Sequence, residues 1–78
     1  MNKTLDLSAL RSFVAVADIG GVTAAAGKLN LTQSAVSMQI KRLESLLGRR
    51  LITRQGRGIE LTVHGEQLLD YGRQILGI

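Results

Sequence analysis

Ser34, Ser37, Met38, Lys41 and Ser45 are spaced by three and four residues, which on a helix sets them along one side, with Gln33 at its start and Arg42 at its edge. Such a face is narrow, polar and basic. Its short side chains would let the backbone come close to the floor of a DNA major groove, where serine hydroxyls can meet base edges and the Gln33 amide can reach an adenine or a phosphate. Lys41 and Arg42 lie further along, where phosphates line the groove, and contacts of that kind position a protein without reading sequence. A second arginine feature follows: Arg54, and then Arg57 between Gly56 and Gly58, on a segment open enough to approach a minor groove closely. Catalytic and metal chemistry find no support. There is no cysteine, His64 is the single histidine, and the carboxylates are scattered without a nucleophile or base beside them, so no catalytic residue, metal site or cofactor is expected.

The distribution of charge says more than its total. The net charge is +4, which many small domains share. Six of the ten basic residues (Lys41, Arg42, Arg49, Arg50, Arg54, Arg57) fall in one stretch where Glu44 is the single acid, so that stretch carries +5. The other four basic residues face five acids, for −1. A concentrated patch is the electrostatic footprint of a nucleic-acid partner. No apolar run approaches the ~18 residues of a membrane span, and the first residues lack the apolar stretch of a signal peptide, so no membrane partner and a cytoplasmic setting are expected.

The elements that must hold these residues are mostly helical. Hydrophobic residues make up 45% of the chain but aromatics only 3%, so the core must be built from Leu, Ile, Val and Ala, which suits close-packed helices. Asp6 is placed to cap a first helix, with Leu5 and Leu10 as a hydrophobic staple and Leu7, Leu10, Phe13, Val14 and Ala17 as its buried stripe; Gly20-Gly21 ends it. A short second helix carries Val22, Ala25, Ala26 and Leu29 on one face, weakened by Gly27, and turns out through Asn30 and Leu31. Thr32 caps the third, whose buried side is Val36, Ile40, Leu43 and Leu47 and whose stop is Gly48. The period then changes. Leu51-Ile52-Thr53 and Ile59-Glu60-Leu61 read as brief strands joined by Gln55-Gly56-Arg57-Gly58. Thr62 caps a last helix with Leu68, Leu69, Ile75 and Leu76 apolar at near-heptad spacing and Gly65 and Gly72 on the same side. The expected fold is mainly α: a winged helix-turn-helix with a three-helix core, a two-stranded wing and a C-terminal linker helix. His64 reads as a first-turn helix residue, and Phe13 and Tyr71 as packing residues, too few for base stacking.

Ala25-Ala26, Leu29, Thr32-Gln33-Ser34-Ala35-Val36-Ser37, Ile40, Leu43-Glu44, Leu47-Gly48, Leu51, Arg54, Arg57, Leu61-Thr62 and Gly65 together resemble the signature of LysR-type transcriptional regulators, without gaps and over nearly the whole chain. The resemblance implies that about Val22 to Lys41 is the helix-turn-helix and that the third helix enters the major groove. It places the DNA-contacting positions on Gln33, Ser34, Ser37 and Met38 and the wing arginine on Arg57. It further implies a DNA-binding domain over 1–62 and a linker helix over 63–78 that pairs two copies, followed in the family by a small-molecule-sensing effector domain outside this sequence. Gly21-Val22 stands where the family has Ser-Phe, which removes a cap and an aromatic plug; Ile52 replaces a frequent Phe, and Gly27 a better helix former. Met38 falls at a position that varies in the family.

The expectation is a dimeric, sequence-specific binder of an inverted repeat in double-stranded DNA. Its recognition helix would use Thr32, Gln33, Ser34, Ser37, Met38, Lys41 and Arg42, its wing Arg54 and Arg57, and its dimer contact Leu68, Leu69, Gly72, Ile75 and Leu76. The alternative is a protein-association module whose basic wing serves only solubility. Duplex RNA is disfavoured, because the groove a helix would enter is too narrow in A-form.

Overall fold

The structure is a computed structural model that describes residues 6–56 and 58–78; Arg57 and the staple residue Leu5 lie outside the described residues. Among the described residues four helices and one hairpin follow in the order α1 (Leu7–Ile19), α2 (Val22–Leu29), α3 (Gln33–Leu47), β1 (Ile52–Gln55), β2 (Gly58–Leu61) and α4 (Val63–Leu76). Three of the helix starts are fixed by the predicted caps. The Ser8 N–H donates to Asp6 Oδ1 at 2.9 Å, the Ala35 N–H to Thr32 Oγ1 at 3.1 Å and the Gly65 N–H to Thr62 Oγ1 at 3.0 Å, each relieving one of the amides a helix leaves unpaired in its first turn. Helix α2 starts at Gly21 with no side-chain cap, as expected from the missing serine. It ends on Asn30 in the left-handed conformation, which turns the chain toward α3.

Helix α1 is the hub, packing against α2, α3 and α4. Its buried stripe differs from the expected one. Leu7 is 53% exposed and Ala17 half-buried, whereas Ala9 and Val16 are completely buried together with Leu10, Ser12, Phe13 and Val14. The cause is that α1 is covered on two sides. Ala9, Phe13 and Val16 join the main core with Val22, Ala25, Ala26, Val36, Ile40, Leu43, Leu51 and Ile52, while Leu10 and Val14 lie under α4 at Gly72. Picking the largest apolar residues overlooks an alanine at a tight helix crossing and a buried serine. The Ser12 hydroxyl donates to Gln39 Oε1 and so ties α1 to α3. On α3, Val36, Ile40 and Leu43 are buried as expected, but Leu47 is 44% exposed at the last turn.

Strands β1 and β2 pair antiparallel in the register Ile52↔Leu61, Thr53↔Glu60, Arg54↔Ile59 and Gln55↔Gly58; toward the tip β1 runs two residues and β2 one residue further than the sequence suggests, and β1 starts one residue later. Gly56 has φ +55°, a left-handed value that glycine reaches without strain and that suits a two-residue hairpin connection. The wing is anchored at both ends. Ile52 is buried in the core, and Gly58 approaches the α1–α2 turn so closely that a Cβ there would sit 3.2 Å from the Gly20 carbonyl oxygen.

Two glycines let α4 dock. A Cβ on Gly65 would lie 2.1 Å from the Leu51 carbonyl oxygen, and one on Gly72 would lie 3.0 Å from Val14 Cγ2. Farther along, Arg73 pairs with Asp18 of α1 at 2.5 Å. Because the Leu51 contact is with backbone, Gly65→Ala is expected to destabilise the fold by about 1–3 kcal/mol, the usual range for overpacking. Gly27 in α2 has open space around its Cα, so Gly27→Ala should stabilise by about 1 kcal/mol. Thermal melts check both, with a shift of about 4–8 °C per kcal/mol for a chain of this size.

Candidate nucleic-acid interface

Helix α3 divides cleanly into an inner and an outer side. With Val36, Ile40 and Leu43 inside, Thr32, Gln33, Ser34, Met38, Lys41 and Arg42 are all exposed outside, and Met38 keeps 57% of its surface open. Thr32 is engaged as the cap, but a hydroxyl that accepts from Ala35 still has its own hydrogen to donate. Ser37 is half-buried and faces the wing. It lines, with Lys41, Glu44, Arg50, Ile52 and Arg54, a cleft of about 80 Å3 between α3 and the hairpin. The fold therefore brings Ser37, Lys41 and Arg54, some 17 residues apart at their extremes, onto one continuous surface. Beyond the wing a wider groove of about 440 Å3 separates it from the start of α2, with Thr23 on one wall and Arg54 and Gly56 on the other.

The base of the wing is set by two residues whose individual roles the charge pattern does not disclose. Glu44, on α3, accepts from the Leu51 N–H at 2.8 Å through Oε2, and the Arg50 Nε lies 3.5 Å from the same oxygen. Arg50 also donates through Nη2 to the Ile52 carbonyl at 3.3 Å. The Thr62 hydroxyl donates to the Arg50 carbonyl at 2.6 Å, and the Thr62 N–H to the Leu51 carbonyl at 3.0 Å. Glu44 is thus the acid that links α3 to the wing. Among the described residues two ion pairs form, Arg50–Glu44 and Arg73–Asp18, and neither engages Lys41, Arg42 or Arg54. Their charge faces solvent, on the surface that a phosphate backbone would meet.

The last helix is less open than its near-heptad spacing implies. Leu68 and Leu69 are half-buried against the chain's own core, Gly72 is buried under Leu10 and Val14, and Leu76 is half-buried beside α1. Ile75 is 53% exposed, and so are Val63 at 70%, Tyr71 at 61% and Ile78 at 69%. Tyr71 is therefore not a core residue as expected: with Gly65 and Gly72 turned inward, position 71 falls on the outer side of α4. His64 sits exposed in the first turn, as expected.

A helix-turn-helix carried on a third helix and followed by a two-stranded hairpin and a long helix defines the winged helix-turn-helix class. The chain belongs to the LysR family: the family model described as "Bacterial regulatory helix-turn-helix protein, lysR family" matches residues 7–66. It is 56% identical over 72 residues to the HTH-type transcriptional regulator PecT of Dickeya dadantii, and 42% identical over 76 residues to the regulator DgdR of Burkholderia cepacia. These matches cover 92% and 97% of this chain but 23% and 26% of the relatives, so the chain spans about a quarter of the length of these two relatives. Among solved structures, the DNA complex of the CbnR DNA-binding domain superposes with a TM-score of 0.89 at 40% identity, covering 92% of this chain and 83% of that one. The BenM DNA-binding domain on catB site 1 DNA superposes with a TM-score of 0.88 at 38% identity, covering 92% and 80%. The family is one of regulators, not enzymes.

Removing the Glu44 carboxylate leaves the Leu51 N–H, in a part-buried site, without its acceptor. Glu44→Ala is expected to cost about 1–3 kcal/mol in chemical denaturation, and Glu44→Gln, which keeps an acceptor oxygen, distinctly less.

Proposed function

We propose that this chain is the DNA-reading head of a transcription regulator, binding double-stranded DNA with α3 in the major groove and the wing along the flanking minor groove. The observation that carries this reading is the two-sided α3. It is capped at Thr32 and seated on the core through Val36, Ile40 and Leu43, with Gln33, Ser34, Met38, Lys41 and Arg42 exposed on the other side. Family membership supports it, as do the DNA complexes described for the related CbnR and BenM domains. In this reading Gln33, Ser34, Ser37 and Met38 face base edges, whereas Thr32, Lys41, Arg42 and Arg54 hold phosphates. Arg57 would extend the wing contact. The chain would act in the cytoplasm, where bacterial DNA lies.

Two copies would associate through 63–78 and present their α3 helices to the halves of an inverted repeat, since a two-fold dimer reads a two-fold site. Within that helix, Ile75 is the exposed member of the sequence-predicted contact set. Val63 and Tyr71 extend it, while Leu68, Leu69, Gly72 and Leu76 hold α4 on its own subunit. Any small-molecule effector would act through the length by which the relatives exceed this chain.

Binding to a duplex selected from a random pool should weaken steeply with salt, because each neutralised phosphate releases counterions. Arg54→Ala should weaken binding about equally on all sequences and reduce the slope of log affinity against log salt by about 1. Absence of a salt slope, or equal affinity for selected and random duplexes, would overturn the DNA reading and favour the association module. For the dimer, Ile75→Asp should give a monomer in sedimentation equilibrium that keeps its helical circular dichroism, since half of that side chain lies in solvent. An unchanged mass would remove α4 from the interface.

A further inference from the structure

Resting on the DNA reading, we infer that Met38 is a specificity-determining residue that selects a 5-methylpyrimidine, thymine in ordinary DNA, at one position of each half-site. Met38 is the large apolar side chain on the outer side of α3, 57% exposed, one turn beyond Ser34 and one turn before Lys41. Its Cα position is fixed by its neighbours in sequence. Val36 is completely buried, Ile40 is 2% exposed, and Gln39 is held through the Ser12 hydroxyl, so α3 cannot roll to hide the thioether. A helix that enters the major groove with this face foremost must therefore bring Met38 against the base edges.

The chemistry of those edges decides what it meets. A thioether has no donor and is a weak acceptor, so it cannot satisfy guanine O6 and N7, adenine N6 and N7, or the cytosine amino group. Covering any of these with an apolar side chain strips water from a polar group and returns no hydrogen bond. The 5-methyl group of thymine is the one methyl, and the largest apolar surface, that an unmodified base pair presents in this groove. Selection is then two-sided: methyl contact favours thymine, and unpaired polar edges penalise the alternatives. The flexible, polarisable methionine chain can reach the methyl without strict geometry. Ser34 and Ser37 can hydrogen-bond to several edges and do not impose this choice.

The test replaces single bases in the duplex that the wild-type chain selects from a random pool. Deoxyuridine removes only the methyl of thymine, and 5-methyldeoxycytidine adds it to cytosine. At one thymine per half-site, deoxyuridine should weaken wild-type binding by about fourfold, the worth of one buried methyl. At that same position 5-methyldeoxycytidine should bind more tightly than cytosine. In Met38→Ala the deoxyuridine penalty should vanish, and in Met38→Leu, which keeps an apolar chain of similar volume, it should persist. A wild-type chain insensitive to deoxyuridine at every thymine, or a penalty that survives unchanged in Met38→Ala, overturns the inference while leaving the DNA reading intact. Failure to select any duplex overturns both.

Discussion

The peptide of Leu51 is where the structure is joined. Its N–H is taken by the Glu44 carboxylate of α3, its carbonyl accepts from Thr62 at the head of α4 and touches the backbone of Gly65, and its side chain is completely buried. Helix α3, the wing and helix α4 thus converge on one amide and one carbonyl. The requirement behind this is general: a backbone polar group removed from water must be paired or it costs about 1–3 kcal/mol. In a chain of 78 residues with two aromatics, there is little core to spare for holding a hairpin at a fixed angle. A few directional bonds at its base do what a larger domain would do by packing. They also explain why position 65 is glycine, since any Cβ would displace the carbonyl that Thr62 needs.

What could be read from the residues beforehand follows from how local each signal is. The caps at Asp6, Thr32 and Thr62 were legible because a cap is a short-range bond between a side chain and an amide two or three residues on. The hairpin was legible because the period changes from helical to alternating after Gly48 and Gly56 and Gly58 mark the tip between two short apolar runs. The buried stripe of α1 was legible only in part. Which sides of a helix are covered depends on how many neighbours it has, and Ala9, Ser12 and Val16 acquire their burial from α2 and α3 far along the chain. Glu44 shows the same boundary from the electrostatic side. Counting it as one acid among arginines is correct and says nothing of the Leu51 amide, seven residues away and brought close only when the chain turns at Gly48.

The apolar side of α4 illustrates a further ambiguity. A row of Leu and Ile at near-heptad spacing is equally suited to the chain's own core and to a second copy, because burial of apolar area carries no address. Folding divides the row. Gly72 and Leu68 turn inward, the exposed Arg73–Asp18 pair spans α4 and α1 at the rim, and Tyr71, Ile75 and Val63 turn outward. A two-sided helix of this kind would couple the two proposed partners of the chain. The face that would meet another subunit is joined, through α1 and the Leu51 peptide, to the face that would meet DNA.

That coupling also clarifies how the charges are placed. Clustering basic side chains destabilises a compact state through self-repulsion, and the cost grows where a surface is kept ready for phosphates. A single acid inserted among Lys41, Arg42 and Arg54 would relieve the strain but would compete with the phosphates themselves. Glu44 avoids this, because its oxygen is engaged by a backbone amide and by Arg50 at the foot of the wing. Arg50 in turn donates to the Ile52 carbonyl, so both members of the pair are committed to shaping the hairpin. Lys41, Arg42 and Arg54 enter neither ion pair among the described residues, and the bonds made by Glu44 and Arg50 fix the wing beside them.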